Sequence, residues 1–277
     1  MIPPRSIRRT SLLISMFLLL VQTGCALLLP DSSLNTVYKN PLPPIVESRN
    51  TIDLEVYFID RRIGDPLIGD GLWSSLASVS AVSPESRACL AEDGFRFAMA
   101  SSRPPRALQS LLKLSDDQDP TRRVVPQRYT VPSGQETLLV VSSVPDGTPL
   151  VRKTNEGVKT TELHRAQCLL RVGAKEVDGG WVRLCVTPEI RHGAMTLRPI
   201  ATADNWQYHE GQQAMPFYQH RLSADLNTGE LLVMGLDPNC PDQLASCFFR
   251  SDIASGIERL IVIRVGEIRK VDPVRVE

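Results

Sequence analysis

The sequence predicts a small α+β unit over residues 51–114, followed by a mostly antiparallel β domain over 127–277. Two observations carry this reading. The earlier block mixes alternating runs with capped helical segments. The later block consists of short apolar runs separated by turn signals such as Pro145-Asp-Gly, Asp178-Gly-Gly and Asn227-Thr-Gly.

In the first block, Ile52, Leu54, Val56 and Phe58 alternate with Asp53, Glu55 and Tyr57, the pattern of a half-buried strand. A short helix is expected from Gly71 to Val79, with Leu72, Trp73 and Leu76 on one side. Ser83-Pro84-Glu85 supplies an N-cap, a proline at the first helical position and an acid at the positive end of the dipole. That helix is expected to run to Asp93 and to stop at Gly94. A strand with Phe95, Phe97 and Met99 follows, then a helix opened by Pro104-Pro105 with Leu108, Leu111 and Leu112 inward.

Residues 115–126 read as a polar connector. Beyond it, strands are expected at Thr137–Val144, Thr148–Lys153, Met195–Ile200, Gln219–Ala224, Glu230–Leu236 and Leu260–Val265. A hairpin pairs 164–173 with 181–187. Matching its apolar faces aligns Ala166, Cys168, Leu170 and Val172 with Val182, Leu184 and Val186, so Cys185 faces away from Cys168.

The N-terminus reads as an export signal: Arg5, Arg8 and Arg9, then a ten-residue apolar run from Leu12 to Val21. A membrane-spanning helix needs about 20 such residues. The segment ends Thr23-Gly24-Cys25, which resembles the lipobox of bacterial lipoproteins and implies lipidation of Cys25 and attachment to a membrane. Gln22 stands where that motif usually has leucine three places before the cysteine. A different cleaved signal, or an uncleaved anchor lengthened by Ala26–Leu29, are the alternatives. Residues 26–50, with Asn40-Pro-Leu-Pro-Pro, read as a disordered tether.

Lysine plus arginine number 31, as do aspartate plus glutamate. Removing the three leader arginines leaves 28 basic against 31 acidic residues, no general attraction for nucleic acid. With Cys25 set aside, five cysteines remain. Cys240 and Cys247, close together in a loop-like stretch, are the expected disulfide, whereas Cys89, Cys168 and Cys185 read as small buried hydrophobes with free thiols. Motifs for a serine nucleophile, a phosphate-binding loop or a zinc site are absent from the sequence, so no catalytic residue, metal ligand or cofactor is expected. His220 is expected on a strand and exposed; His192-Gly193 is expected in a turn.

Four segments of the C-terminal half resemble, in order, the core of bacterial secretins, the ring channels of the outer membrane. They are Leu184-Cys-Val-Thr-Pro-Glu-Ile190, Gly229-Glu-Leu-Leu-Val-Met-Gly235-Leu, Leu244-Ala-Ser-Cys-Phe-Phe-Arg250 and Glu258-Arg-Leu-Ile-Val-Ile-Arg264-Val, within residues 181–265. Leu54-Glu55-Val56 stands where that family has an early core strand, and Gly235 where it has a glycine pair. The opening at Leu54, Trp73 and Gly94 is also similar to exported proteins of unknown function from planctomycete-type bacteria. These resemblances imply a secretin-like β module in a non-enzymatic envelope protein with a structural or protein-interaction role. The alternative is a ligand- or peptide-binding periplasmic lipoprotein.

Overall fold

A computed structural model describes residues 50–79, 82–114, 118–154, 157–201, 206–240, 243–250 and 256–270. The described chain is mostly antiparallel β. Its strands are β1 (Thr51–Arg62), β2 (Phe95–Ala100), β3 (Val124–Pro132), β4 (Gln135–Val144), β5 (Thr148–Thr154) and β6 (Gly157–Leu163). They continue with β7 (Ala166–Val177), β8 (Trp181–Ala201), β9 (Trp206–Pro216), β10 (Leu222–Leu226), β11 (Leu231–Leu236) and β12 (Ile257–Arg269). Four α-helices are described: α1 (Asp70–Ser74), α2 (Pro84–Glu92), α3 (Arg106–Lys113) and α4 (Leu244–Phe249).

The first sheet has the order β2-β11-β12-β1-β3 and the second β10-β8-β7-β4, with β9 also on β8; β5 and β6 form a separate ribbon. Because β1 and β2 lie in one sheet with β11 and β12, the 51–114 segment and the β-rich remainder are built into each other. The expected connector at 115–126 gives way at Val124 to β3, the edge strand beside β1.

Burial explains why the strands of the first sheet read differently from those of the second. β11 is buried at every position, and so is the Leu260–Ile263 stretch of β12, which is why Leu-Leu-Val-Met-Gly-Leu and Leu-Ile-Val-Ile are continuous apolar runs. Their side chains divide by parity. Leu232, Met234, Ile261, Ile263 and Val265 join Leu54, Val56 and Phe58 in the core shared with the second sheet. Leu231, Val233, Leu260 and Val262 face the other way, packing with Leu72 and Trp73 of α1 and with Leu108 and Leu111 of α3. The layers are therefore helices, first sheet, central core, second sheet, with Phe248 and Phe249 of α4 filling the central core.

The β7–β8 hairpin has the register that its apolar faces require, with Val172 opposite Val186 and Ala174 opposite Leu184. Cys185 lies opposite Gly173 and contacts Ser223 Oγ at 3.7 Å, on the face away from Cys168. Asp178–Gly180 forms the connection, with Gly179 at φ 78°.

Gly235 has a packing reason to lack a side chain. A β-carbon there would meet Leu260 Cδ1 at 2.9 Å and Trp73 Cζ2 at 3.1 Å. The indole cannot easily yield: its Nε1 donates to the Ile68 carbonyl at 3.1 Å, and the Arg96 guanidinium lies 4.9 Å over its ring. Gly235→Ala is expected to destabilise the fold by about 1–3 kcal/mol through overpacking. Equilibrium denaturation checks this, and a midpoint unchanged from wild type would show that the contact is slack.

Candidate functional site

Cys25 lies outside the described residues. The expected Cys240–Cys247 bridge is not formed: both thiols are free. The cause is the helix between them. Once Leu244–Phe249 winds into α4, Cys247 turns toward the core beside Cys168, and burial pushes both of those thiols up from their ordinary value. Ser142 ties that corner by donating to the Cys247 carbonyl at 2.5 Å. Cys240 packs elsewhere, its carbonyl oxygen and Cβ against Gly94 and its Sγ 4.0 Å from the Ala91 carbonyl.

Two features of the histidines differ from expectation. His192 stands within β8, where three residues before Thr196 bulge out of the β9 ladder, rather than in a turn between strands. His220 is not on an exposed strand. Phe217 N–H donates to the Pro188 carbonyl, a 3-10 turn follows over Tyr218–His220, and β10 begins only at Leu222. That turn carries the imidazole inward to 1% exposure.

His220 meets the end of α2 there. Ser83 starts this helix by accepting from Ser86 N–H at 3.1 Å, with Pro84 at the first position, and Gly94 at φ 79° follows its end. The four-residue spacing puts Cys89 and Asp93 on one face. Asp93 Oδ2 makes a short hydrogen bond with His220 Nε2, and Cys89 Sγ lies 3.6 Å from the same nitrogen. The ring packs against Phe95 and Phe217, with centroid distances of 5.8 and 5.9 Å, and Nδ1 has no hydrogen-bond partner among the described residues. Burial pushes the Cys89 thiol up, and the charges of Asp93 and Glu92 add to that.

This arrangement is not a nucleophile–base–acid relay. A relay needs the thiol on one ring nitrogen and the carboxylate on the other, so that a proton can pass across the imidazole. Here both converge on Nε2, the geometry of donors around a common point. Sequence reading missed the group because Asp93 and His220 are 127 residues apart. Only the Cys89-to-Asp93 spacing was visible.

A second feature is an arm on the second sheet. β7 covers β8 only as far as Arg191. From Thr196 to Ala201, β8 pairs with β9 alone, and the two form a ribbon ending at the Ala201–Trp206 pair. Leu197 opposite Glu210 and Pro199 opposite Tyr208 share one face of this ribbon. Leu197 is 72% exposed and Tyr208 71%, and Met195 in the bulge is 53% exposed. At the arm's root sits Glu189, fully buried and held by Arg171 and Arg191. Burial alone would push its carboxyl up, but the hydrogen bonds and charges of the two guanidiniums outweigh that and hold it below the usual carboxylate range.

Elsewhere, charged clefts on the surface are lined by mutually neutralised pairs. Glu55 pairs with Arg128 at 2.8 Å and Arg264 at 3.4 Å, and Asp53 with Arg269 at 2.6 Å. Among the described residues no helix is long and apolar enough to cross a membrane. Compared with known protein families and with curated proteins, the chain matches none.

Proposed function

We propose that this chain is an exported bacterial envelope protein without an enzymatic role, anchored through lipid on Cys25, whose β module binds another envelope protein through the β8–β9 ribbon. The carrying observation is the ribbon's exposed apolar face of Leu197, Pro199 and Tyr208. A two-stranded ribbon is marginal by itself, and exposed apolar side chains on strands with free edges are what a docking partner covers. The leader supports the location, since its short apolar run ends at a lipobox-like cysteine. The secretin-like reading draws support from three of the resembling strand segments, in β1, β12 and β11, which lie side by side with α4 packed into the core beneath them; the Leu184–Ile190 segment stands apart in β8 of the second sheet.

The test has two arms. Intact mass of the native protein from membranes should give a diacylglyceryl cysteine at position 25 as the first residue; a membrane-bound chain retaining Met1 sinks the lipid anchor, and a cytosolic chain retaining Met1 sinks the export claim as well. A photo-crosslinking residue at Leu197 should yield a discrete protein adduct in cells, and one at the comparably exposed Val140 should not. With the crosslinking residue kept at position 197, Tyr208→Glu should abolish the adduct while shifting stability by less than about 1 kcal/mol, as exposed sites do. Equal adducts from both positions would sink the docking claim.

A further inference from the structure

We propose that Cys89, Asp93 and His220 form a binding site for a single divalent metal ion of the zinc type. Their ligand atoms all lie within 4.8 Å of one another and converge from two separate elements, the end of α2 and the turn after β9. The donor set of one sulfur, one imidazole nitrogen and one carboxylate oxygen suits a borderline ion rather than calcium or magnesium, which take oxygen. In a tetrahedral zinc site, bonds of about 2.0–2.3 Å set ligand atoms about 3.5 Å apart. The Cys89 Sγ to His220 Nε2 distance of 3.6 Å already has that value. Only the Asp93 carboxylate has to swing outward, by roughly 1 Å on the same geometry. It can do so because its side chain is 34% exposed.

The Asp93 carboxylate and the neighbouring exposed Glu92 give this end of α2 the negative charge that attracts a dication. His220 is the rigid member, fully enclosed and held by Phe95 and Phe217, while Cys89 and Asp93 reach toward solvent. Three protein donors leave a fourth position for water. The exposed flank of the site at Asp93 provides the way in.

The untagged, reduced full chain is titrated with Co2+. One equivalent should bind with a thiolate-to-cobalt charge-transfer band in the near ultraviolet, and Zn2+ should displace it. Cys89→Ser should lose the band, Asp93→Asn should weaken binding at least about tenfold, and Cys240→Ser should change neither. No band in the wild type, a band kept in Cys89→Ser, or one lost in Cys240→Ser would each overturn the proposal. Circular dichroism and thermal unfolding without metal check that the variants fold. Should Cys89→Ser fail to fold, X-ray absorption of the zinc-loaded wild type reads the ligands directly: one sulfur with lighter donors supports the site, and lighter donors alone overturn it.

Discussion

Phe248→Ala should destabilise the protein by about 3–5 kcal/mol, the cost of deleting a fully buried aromatic ring and leaving its cavity. Phe248 is 0% exposed, and its ring centroid lies 5.6 Å from that of Phe95. Phe95 also meets Phe249 at 5.9 Å and His220 at 5.8 Å. The ring thus joins α4 to the β2 edge of the first sheet and to the turn that holds His220. Denaturant unfolding measures the loss. Phe248→Leu, which keeps most of the apolar volume, should cost clearly less. If the two variants lost the same stability, packing volume would not be what the ring contributes.

Asp60→Leu should cost about 2–4 kcal/mol, for a different reason. Asp60 on β1, 5% exposed, faces Arg259 on β12 and takes a two-pronged bond from it, Nε to Oδ1 at 2.6 Å and Nη2 to Oδ2 at 2.8 Å. The remaining arm of Arg259 donates to the Val141 carbonyl on β4, so one guanidinium links the first sheet to the second. Removing the carboxylate leaves that cation without its counter-charge, which in fully buried pairs costs about 3–5 kcal/mol. The 22% exposure of the Arg259 side chain lets water offset part of it. The double replacement Asp60→Leu with Arg259→Met removes both charges and should be more stable than Asp60→Leu alone. A double variant no better than the single one would show that the lost charge balance is not the cause.

Local chemistry made α2, α3 and the central hairpin readable, whereas the stretch that forms α4 reads as a loop. Ser83-Pro84 and Gly94 bracket α2, and alternation in 166–172 and 182–186, interrupted at Leu169 and Cys185, marks which face of β7 and β8 is inward. Sequence reading failed where burial leaves no pattern. β3 is an edge strand, exposed at most positions and carrying Pro126 and Pro132, so its start at Val124–Pro126 reads as part of the connector and the rest shows no strand pattern. β9, Trp206–Pro216, pairs only with β8 among the described strands, and none of its described side chains is buried to impose alternation. His220 was misread because the apolar period of β10 was extended three residues too early, across the 3-10 turn. Of the candidate site, only the spacing on α2 was legible; the imidazole that completes it is supplied by tertiary structure.

The pairing of the earliest strand with the latest governs when this protein can fold. Thr51 lies opposite Arg269, and β12 separates β1 from β11 at the centre of the first sheet. A chain emerging N-terminus first, from a ribosome or through a membrane pore, holds β1 without its main partner until nearly the whole length has arrived. Closing so large a loop before any reward makes assembly slow. An unfinished chain would carry the apolar edge of β1 bare, so such intermediates need a holdase or rapid completion to escape aggregation.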